Sequence, residues 1–227
     1  MTLAPNDLAR LIDHTLLKPD ATASDIERLC TEAREHRLFA VCVNGSRVAQ
    51  ASQVLDGSEV KVAAVVGFPL GAADSDSKRF ETEAALDNGA AEIDVVINIG
   101  RLRDGDHAYV LRELRDVVEA ADERPVKVIL ETCLLTREEK IHGCRAALDS
   151  GAHFVKTSTG FSTGGATVED VKLLREIVGP KFGVKAAGGI RDTRAALAMI
   201  EAGATRLGTS NGVAIVRGVE GGPADGY

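Results

Sequence analysis

The sequence predicts an α/β protein, a single (β/α)8 TIM barrel with a short N-terminal helix and a flexible C-terminal tail. Seven short runs rich in Val and Ile alternate with amphipathic helical segments, the pattern of a parallel sheet with helical crossovers. A junction of helix end, Gly, Ala and strand recurs at Ala85 to Ala90, at Ala147 to Ala152 and around Ile200 to Ala204. No Gly-rich nucleotide loop follows the first strand, which favours a closed barrel over an open doubly wound sheet. The chain's 227 residues suit one such domain, expected over 1–217 with the tail over 218–227.

A helical segment over Asp7 to Ile12 leads into a short predicted strand, Asp13 to Leu16, the eighth needed for closure. A helix follows with Ser24 and Glu27 spaced as a capping pair, then strands Phe39 to Val43 and Val60 to Gly67. After a helix ending at Gly89 comes Glu92 to Asn98, and then Val126 to Glu131. Thr136 and Glu139 announce the next helix, in which Ile141, Cys144 and Leu148 fall at helical spacing to face a sheet. Gly151 closes it. Phe154 to Ser158 is the next strand, and Thr167 with Asp170 opens a helix that ends at Gly179. Val184 to Ala187, a helix from near Asp192 to Gly203, and Arg206 to Gly208 complete the series.

Composition narrows the function. Apolar residues make up 44%, which excludes a disordered chain. The formal charge is −7 and there is no Lys/Arg run, so nucleic acid is not an expected partner. The longest apolar stretch, Val62 to Ala73, is too short to span a membrane, and no signal peptide is visible. Cys30, Cys42, Cys133 and Cys144 form no CxxC pair, and the five histidines have no metal-ligand spacing. These features predict a cytoplasmic protein without metal or cofactor.

Charges inside strands are the informative anomaly. Asp94 lies in Glu92-Ile93-Asp94-Val95-Val96, Lys156 in Phe154-Val155-Lys156-Thr157-Ser158 and Lys185 in Gly183-Val184-Lys185-Ala186-Ala187. Both faces of a parallel barrel strand are covered, and lysine is seldom buried without a partner. The three together predict an ionic cluster kept for chemistry, since buried ions are often replaceable by apolar residues at no cost in stability. A nucleophilic lysine must shed a proton, and moving its pKa from ~10.4 to ~7 costs about 4 kcal/mol. Burial and a second ammonium nearby both push that way. The free amine can attack a carbonyl to form an imine, an electron sink for C–C cleavage, with Asp94 moving protons. Lys127 and Glu131 share a strand face and are expected to support the cluster.

The loops Gly188-Gly189-Ile190-Arg191 and Thr209-Ser210-Asn211-Gly212 lie where barrels commonly bind phosphate, with small residues leading into helix starts. A structural salt-bridge network, a phosphosugar epimerase, another imine-forming aldolase and a sugar-phosphate sensor are the competing readings of these features.

The segments Val155 to Phe161 (with Lys-Thr-Ser-Thr-Gly), Val184 to Arg191, Glu92 to Val96 and Ile12 to Leu17 closely resemble the deoxyribose-phosphate aldolase family. The likeness runs from about Asp7 to about Val216. The resemblance implies a class I aldolase that cleaves 2-deoxy-D-ribose 5-phosphate to D-glyceraldehyde 3-phosphate and acetaldehyde. By position it implies Lys156 as the Schiff-base lysine, Lys185 as the second lysine, Asp94 as acid/base, and Asp13 as a further active-site carboxylate. It implies Cys42 near the substrate, Gly160, Gly188, Gly189, Gly208 and Ser210 as phosphate-side positions, and Tyr227 as a proton-moving residue on a closing tail. This chain has Phe161 and Asn211 where some members have Lys and Ser. The implied partners are a phosphosugar and small aldehydes, with a homodimer or larger homo-oligomer as the expected assembly.

Overall fold

A computed structural model of the chain describes residues 3–219. Eight parallel strands pair in chain order, and the last returns to the first to close the barrel. They are β1 (Ile12–Leu16), β2 (Ala40–Val43), β3 (Lys61–Val66), β4 (Glu92–Val96), β5 (Val126–Ile129), β6 (Phe154–Lys156), β7 (Gly183–Ala187) and β8 (Arg206–Thr209). The helices are α1 (Pro5–Ala9), α2 (Ala23–Glu35), α3 (Val48–Val54), α4 (Ser75–Asp87), α5 (Ile99–Arg103), α6 (His107–Ala120), α7 (Arg137–Ser150), α8 (Val168–Val178), α9 (Thr193–Glu201) and α10 (Gly212–Arg217). Among the described residues, no helix is long and apolar enough to cross a membrane. The tail from residue 220, including Tyr227, lies outside the described residues.

Alternation along the strands sorts side chains onto two faces. Ile12, Val41, Val43, Val62, Ala64, Ile93, Val95, Val128, Val155, Val184 and Leu207 join the main core between strands and helices. The opposite parity faces the barrel interior, which has two unlike walls. On one side Leu17, Cys42, Ala63 and Val65 form a separate small apolar cluster with Phe68 against it. On the other stand the charged residues of β4 to β8. The floor is closed by Arg206, whose guanidinium lies 3.5 Å over the Phe39 ring and 5.4 Å from that of Phe154.

All eight strands lie where the sequence places them, with ends shifted by a residue or two. The strand from Glu92 stops at Val96 because Asn98 turns to cap the unforeseen α5, accepting from Arg101 N at 3.1 Å. Two expected start and end signals are corrected. The capping box of α2 is Thr22 with Asp25, not Ser24 with Glu27. Asp25 takes Thr22 N at 2.9 Å and is braced by Arg28, so the box sits two residues earlier. The first helix is Pro5–Ala9, with proline near its start where a missing N–H costs nothing. In α7 the fully buried face is Gly143, Cys144 and Ala147, while Ile141 and Leu148 are half-buried flanks. A Cβ on Gly143 would fall 2.9 Å from Leu130 Cδ2, so the small face lets helix and sheet approach closely. Thr136 with Glu139 and Thr167 with Asp170 cap as expected.

Among the described residues, one fully buried ion pair sits in the helical layer. Lys78 of α4 is fully buried and donates to Glu113 Oε1 of α6 at 2.7 Å and to Val96 O, at the end of β4, at 2.9 Å. Gly67, at φ 60°, leaves the space through which its stem passes, because a Cβ there would meet Lys78 Cε at 2.8 Å.

Candidate active site

The strand register carries seven charged side chains into the barrel. Lys156 pairs across the ladder with Lys185, Lys185 with Arg206, and Asp94 with Lys127, so neighbours emerge on the same face. Six of the seven form a closed ring of alternating sign. Asp13 bonds Lys185 and also takes Arg206 at 2.9 Å; Arg206 reaches Glu92 at 3.1 Å; Glu92 takes Lys127 at 2.6 Å; Lys127 reaches Asp94 Oδ1 at 2.7 Å; and Asp94 Oδ2 takes Lys185 at 2.8 Å. None of these residues is more than 7% exposed.

Burial alone would push every member toward neutrality, but the mutual attraction wins. Against the desolvation of a fully buried carboxyl, Lys127, Lys156 and Lys185 hold Asp94 well below the ordinary aspartate value. Asp13 is lowered likewise, by Lys185 and Arg206. Despite burial, Asp13 and Asp94 raise Lys185 above the ordinary lysine value, and Asp94 and Glu92 do the same for Lys127. The ring therefore alternates three basic and three acidic side chains, each bonded to two of opposite sign.

Lys156 is the seventh group. Its Nζ donates to Asp94 Oδ2 at 2.9 Å, the oxygen that already accepts from Lys185. The two nitrogens thus stand within about 6 Å of each other, the range in which like charges repel protonation. Every ring cation bonds two carboxylates, whereas Lys156 shares one whose charge is already committed.

The remaining site residues divide sharply. Cys42 is fully buried on the apolar wall, and burial, aided by Asp94, pushes its thiol up, so it is a neutral wall rather than a nucleophile. Glu131 lies beyond β5 at φ 58°, a left-handed conformation uncommon outside glycine. Its carboxyl accepts from the Thr159 hydroxyl and from Thr159 N at 3.3 Å, anchoring the loop after Lys156, and burial pushes it upward. Gly160, Gly188 and Gly189 have φ of 87°, 90° and 79°. The loops after β6 and β7 touch through bare backbone, since Gly188 O accepts Ala166 N at 3.0 Å and a Cβ on Gly165 would fall 2.4 Å from that oxygen.

The start of α9 is capped by its own Asp192, which accepts Ala195 N at 2.7 Å. Gly208 lies within β8, where a Cβ would stand 3.0 Å from both Lys185 Cε and Ala187 Cβ; its smallness makes room for the lysine stem. Ser210 is exposed beside a cleft of about 230 Å³ shared with His14, Thr15 and Glu32. Asn211 stands at the start of α10 without a side-chain capping bond, and Phe161 packs edge-on to Phe68 at 5.3 Å at the mouth. Sequence reasoning missed Glu92 and Arg206. The signal was parity, since Glu92 stands two positions before Asp94, and Arg206 two before Gly208, on the interior face.

A parallel barrel that presents a buried lysine beside a carboxylate and a second, charged lysine defines an enzyme of the aldolase class. The comparisons agree: the DeoC/LacD family aldolase model matches residues 8–219, and the chain belongs to that family. It is 59% identical over 211 residues to the deoxyribose-phosphate aldolase of Alkaliphilus oremlandii, covering 92% of this chain and 95% of that protein. It is 57% identical over 214 residues to the Geobacillus sp. protein of the same name, covering 94% and 96%. Among solved structures, the tetrameric deoxyribose phosphate aldolase of Aeropyrum pernix superposes with a TM-score of 0.88 at 35% identity, covering 94% of this chain and 91% of that one.

Proposed function

We propose that the chain cleaves 2-deoxy-D-ribose 5-phosphate reversibly to D-glyceraldehyde 3-phosphate and acetaldehyde through an imine on Lys156. The observation that carries this reading is the single oxygen of Asp94 shared by Lys156 at 2.9 Å and Lys185 at 2.8 Å. In the reaction the Lys156 amine adds to C1 of the open-chain sugar, and loss of water leaves the protonated imine. Breaking the C2–C3 bond sends its electron pair to the imine as an enamine, while C3 becomes the aldehyde carbon of the phosphorylated product. The proton of the C3 hydroxyl leaves to a base. Protonation at C2 and hydrolysis then release acetaldehyde and restore the amine.

Asp94 is the group in reach to move protons at the carbinolamine, and Lys185, kept cationic by Asp13 and Asp94, supplies the positive field that disfavours a charged Lys156. Gly160, Gly188, Gly189, Gly208 and Ser210 offer the phosphate side small residues and backbone donors, and Gly208 also leaves room for the Lys185 stem. Tyr227 is assigned the C2 proton by resemblance. The Aeropyrum pernix relative supports a homo-oligomer here. A cytoplasmic setting fits the four free cysteines.

Borohydride reduction in the presence of acetaldehyde tests the reading. A reduced adduct mapped to Lys156 is expected, and Lys156→Ala should abolish both adduct and turnover. Phosphate affinity without an adduct would instead indicate a sensor, and full turnover by Lys156→Ala would end the assignment.

A further inference from the structure

We propose that Glu92, Lys127 and Arg206, which make no bond to Lys156, act as positioning residues whose charges set the pH at which Lys156 becomes reactive. The inference deepens the imine reading and rests on it. Three observations support it. The ring closes only through these three residues, since Arg206 joins Asp13 to Glu92 and Lys127 joins Glu92 to Asp94. Each of them therefore fixes how much of the Asp94 and Asp13 charge is left for the two upper lysines. All three are buried, and the Arg206 guanidinium is held against Phe39, so their charges act in a poorly screened interior where a unit charge is felt beyond its contact partner. The ring is also neutral in sum, so removing one member leaves an unbalanced charge of known sign beneath Lys156.

The groups facing Lys156 are few. Asp94 from β4 and Lys185 from β7 meet at one carboxyl oxygen. Glu131, at the end of β5, acts on Lys156 electrostatically from above while bonded to Thr159. Cys42 on β2 is a protonated thiol, and Asp13 on β1 reaches the site through Lys185. Replacing a lower ring member changes how far Asp94 and Asp13 are committed elsewhere in the same direction as the charge it removes, so the sign of each substitution is clean. Glu92→Gln removes a negative charge, making a cationic Lys156 costlier. Lys127→Met removes a positive charge and makes it cheaper. In both variants every remaining ring charge keeps at least one partner: Arg206 keeps Asp13, Glu92 keeps Arg206, and Asp94 keeps Lys185. Arg206→Gln carries the same sign as Lys127→Met and serves if that variant does not fold.

The experiment follows imine formation with acetaldehyde across pH. Each sample is quenched with borohydride under one fixed condition, and the adduct at Lys156 is quantified by mass. Glu92→Gln should shift the midpoint of adduct formation to lower pH, and Lys127→Met should shift it to higher pH, each by about one unit. A scaffolding role would lower the amount of adduct in both variants at an unmoved midpoint. Unmoved midpoints, or shifts of the same sign, with adduct still formed would overturn the proposal alone. Absence of adduct in the unaltered chain would overturn the imine reading and this inference with it.

Discussion

Gly208 shows how narrowly single positions are determined. The Cβ of an alanine there would press on Lys185 Cε and Ala187 Cβ, both at 3.0 Å, inside a wall of paired charges with little room to yield. Gly208→Ala should therefore lower turnover about tenfold or more through a displaced lysine while leaving the fold intact; equal kcat by steady-state assay would refute this. At this scale the sequence was most legible where chemistry contradicts environment. Lys156, Lys185 and Asp94 stood out as charges in strands, and they converge. Arg206 and Glu92 obey the same logic but sit at strand beginnings, where an exposed charge is ordinary, so nothing in their types distinguished them. Cys42 was placed near the substrate only by resemblance, and burial explains why it is inert there. Gly208 is assigned to phosphate by resemblance, and what the sequence could not show is that its lack of a Cβ also makes room for the Lys185 stem.

At the scale of elements, the buried pair between α4 and α6 holds the outer layer to the end of β4, two residues past Asp94. Lys78→Met strands the Glu113 carboxylate and should destabilise the protein by about 3–5 kcal/mol in urea unfolding. The double replacement Lys78→Met with Glu113→Leu should recover most of that loss; a double variant no more stable than the single would refute the pairing argument. The backbone contact of the β6 and β7 loops predicts a different outcome. Gly165→Ala forces the loops apart at Gly188 and should raise KM for the phosphorylated sugar several-fold. Adduct formation from acetaldehyde, which carries no phosphate, should be retained, and equal loss of both would place the damage elsewhere. Strand positions were readable because apolar period and glycine punctuation coincide. The α2 box and the buried face of α7 were not, because Asp25 competes with Glu27 as the acidic partner, and Gly143 and Ala147 pack by being small rather than by being hydrophobic.

For the whole molecule the ring predicts the pH range of stability. Asp13 and Asp94 have folded values below their unfolded ones, so their contribution is present above about pH 4 and is lost as pH falls through the folded values. Lys127 and Lys185 are displaced upward, so theirs is complete below about pH 10.4 and fades as pH rises through the folded values. Thermal melts should show the ring's contribution level between these limits and a steep loss under about pH 4. A loss already complete at pH 6 would mean the interior is not ionised as described. Barrel closure itself was legible from eight strands and the repeated junction. The division of its interior into a dry wall and an ionic wall was not, because it depends on which strands become neighbours across the lumen.

The stacked floor of Arg206 on Phe39 makes the barrel a blind well. On the imine reading, substrate and both products share one doorway, with the two-carbon fragment held on Lys156. On that reading the larger aldehyde departs while the smaller fragment is still held on Lys156, and in the synthetic direction the two-carbon aldehyde enters first. The covalent tether sets that order, and a sealed bottom adds that every arrival and departure uses the same opening.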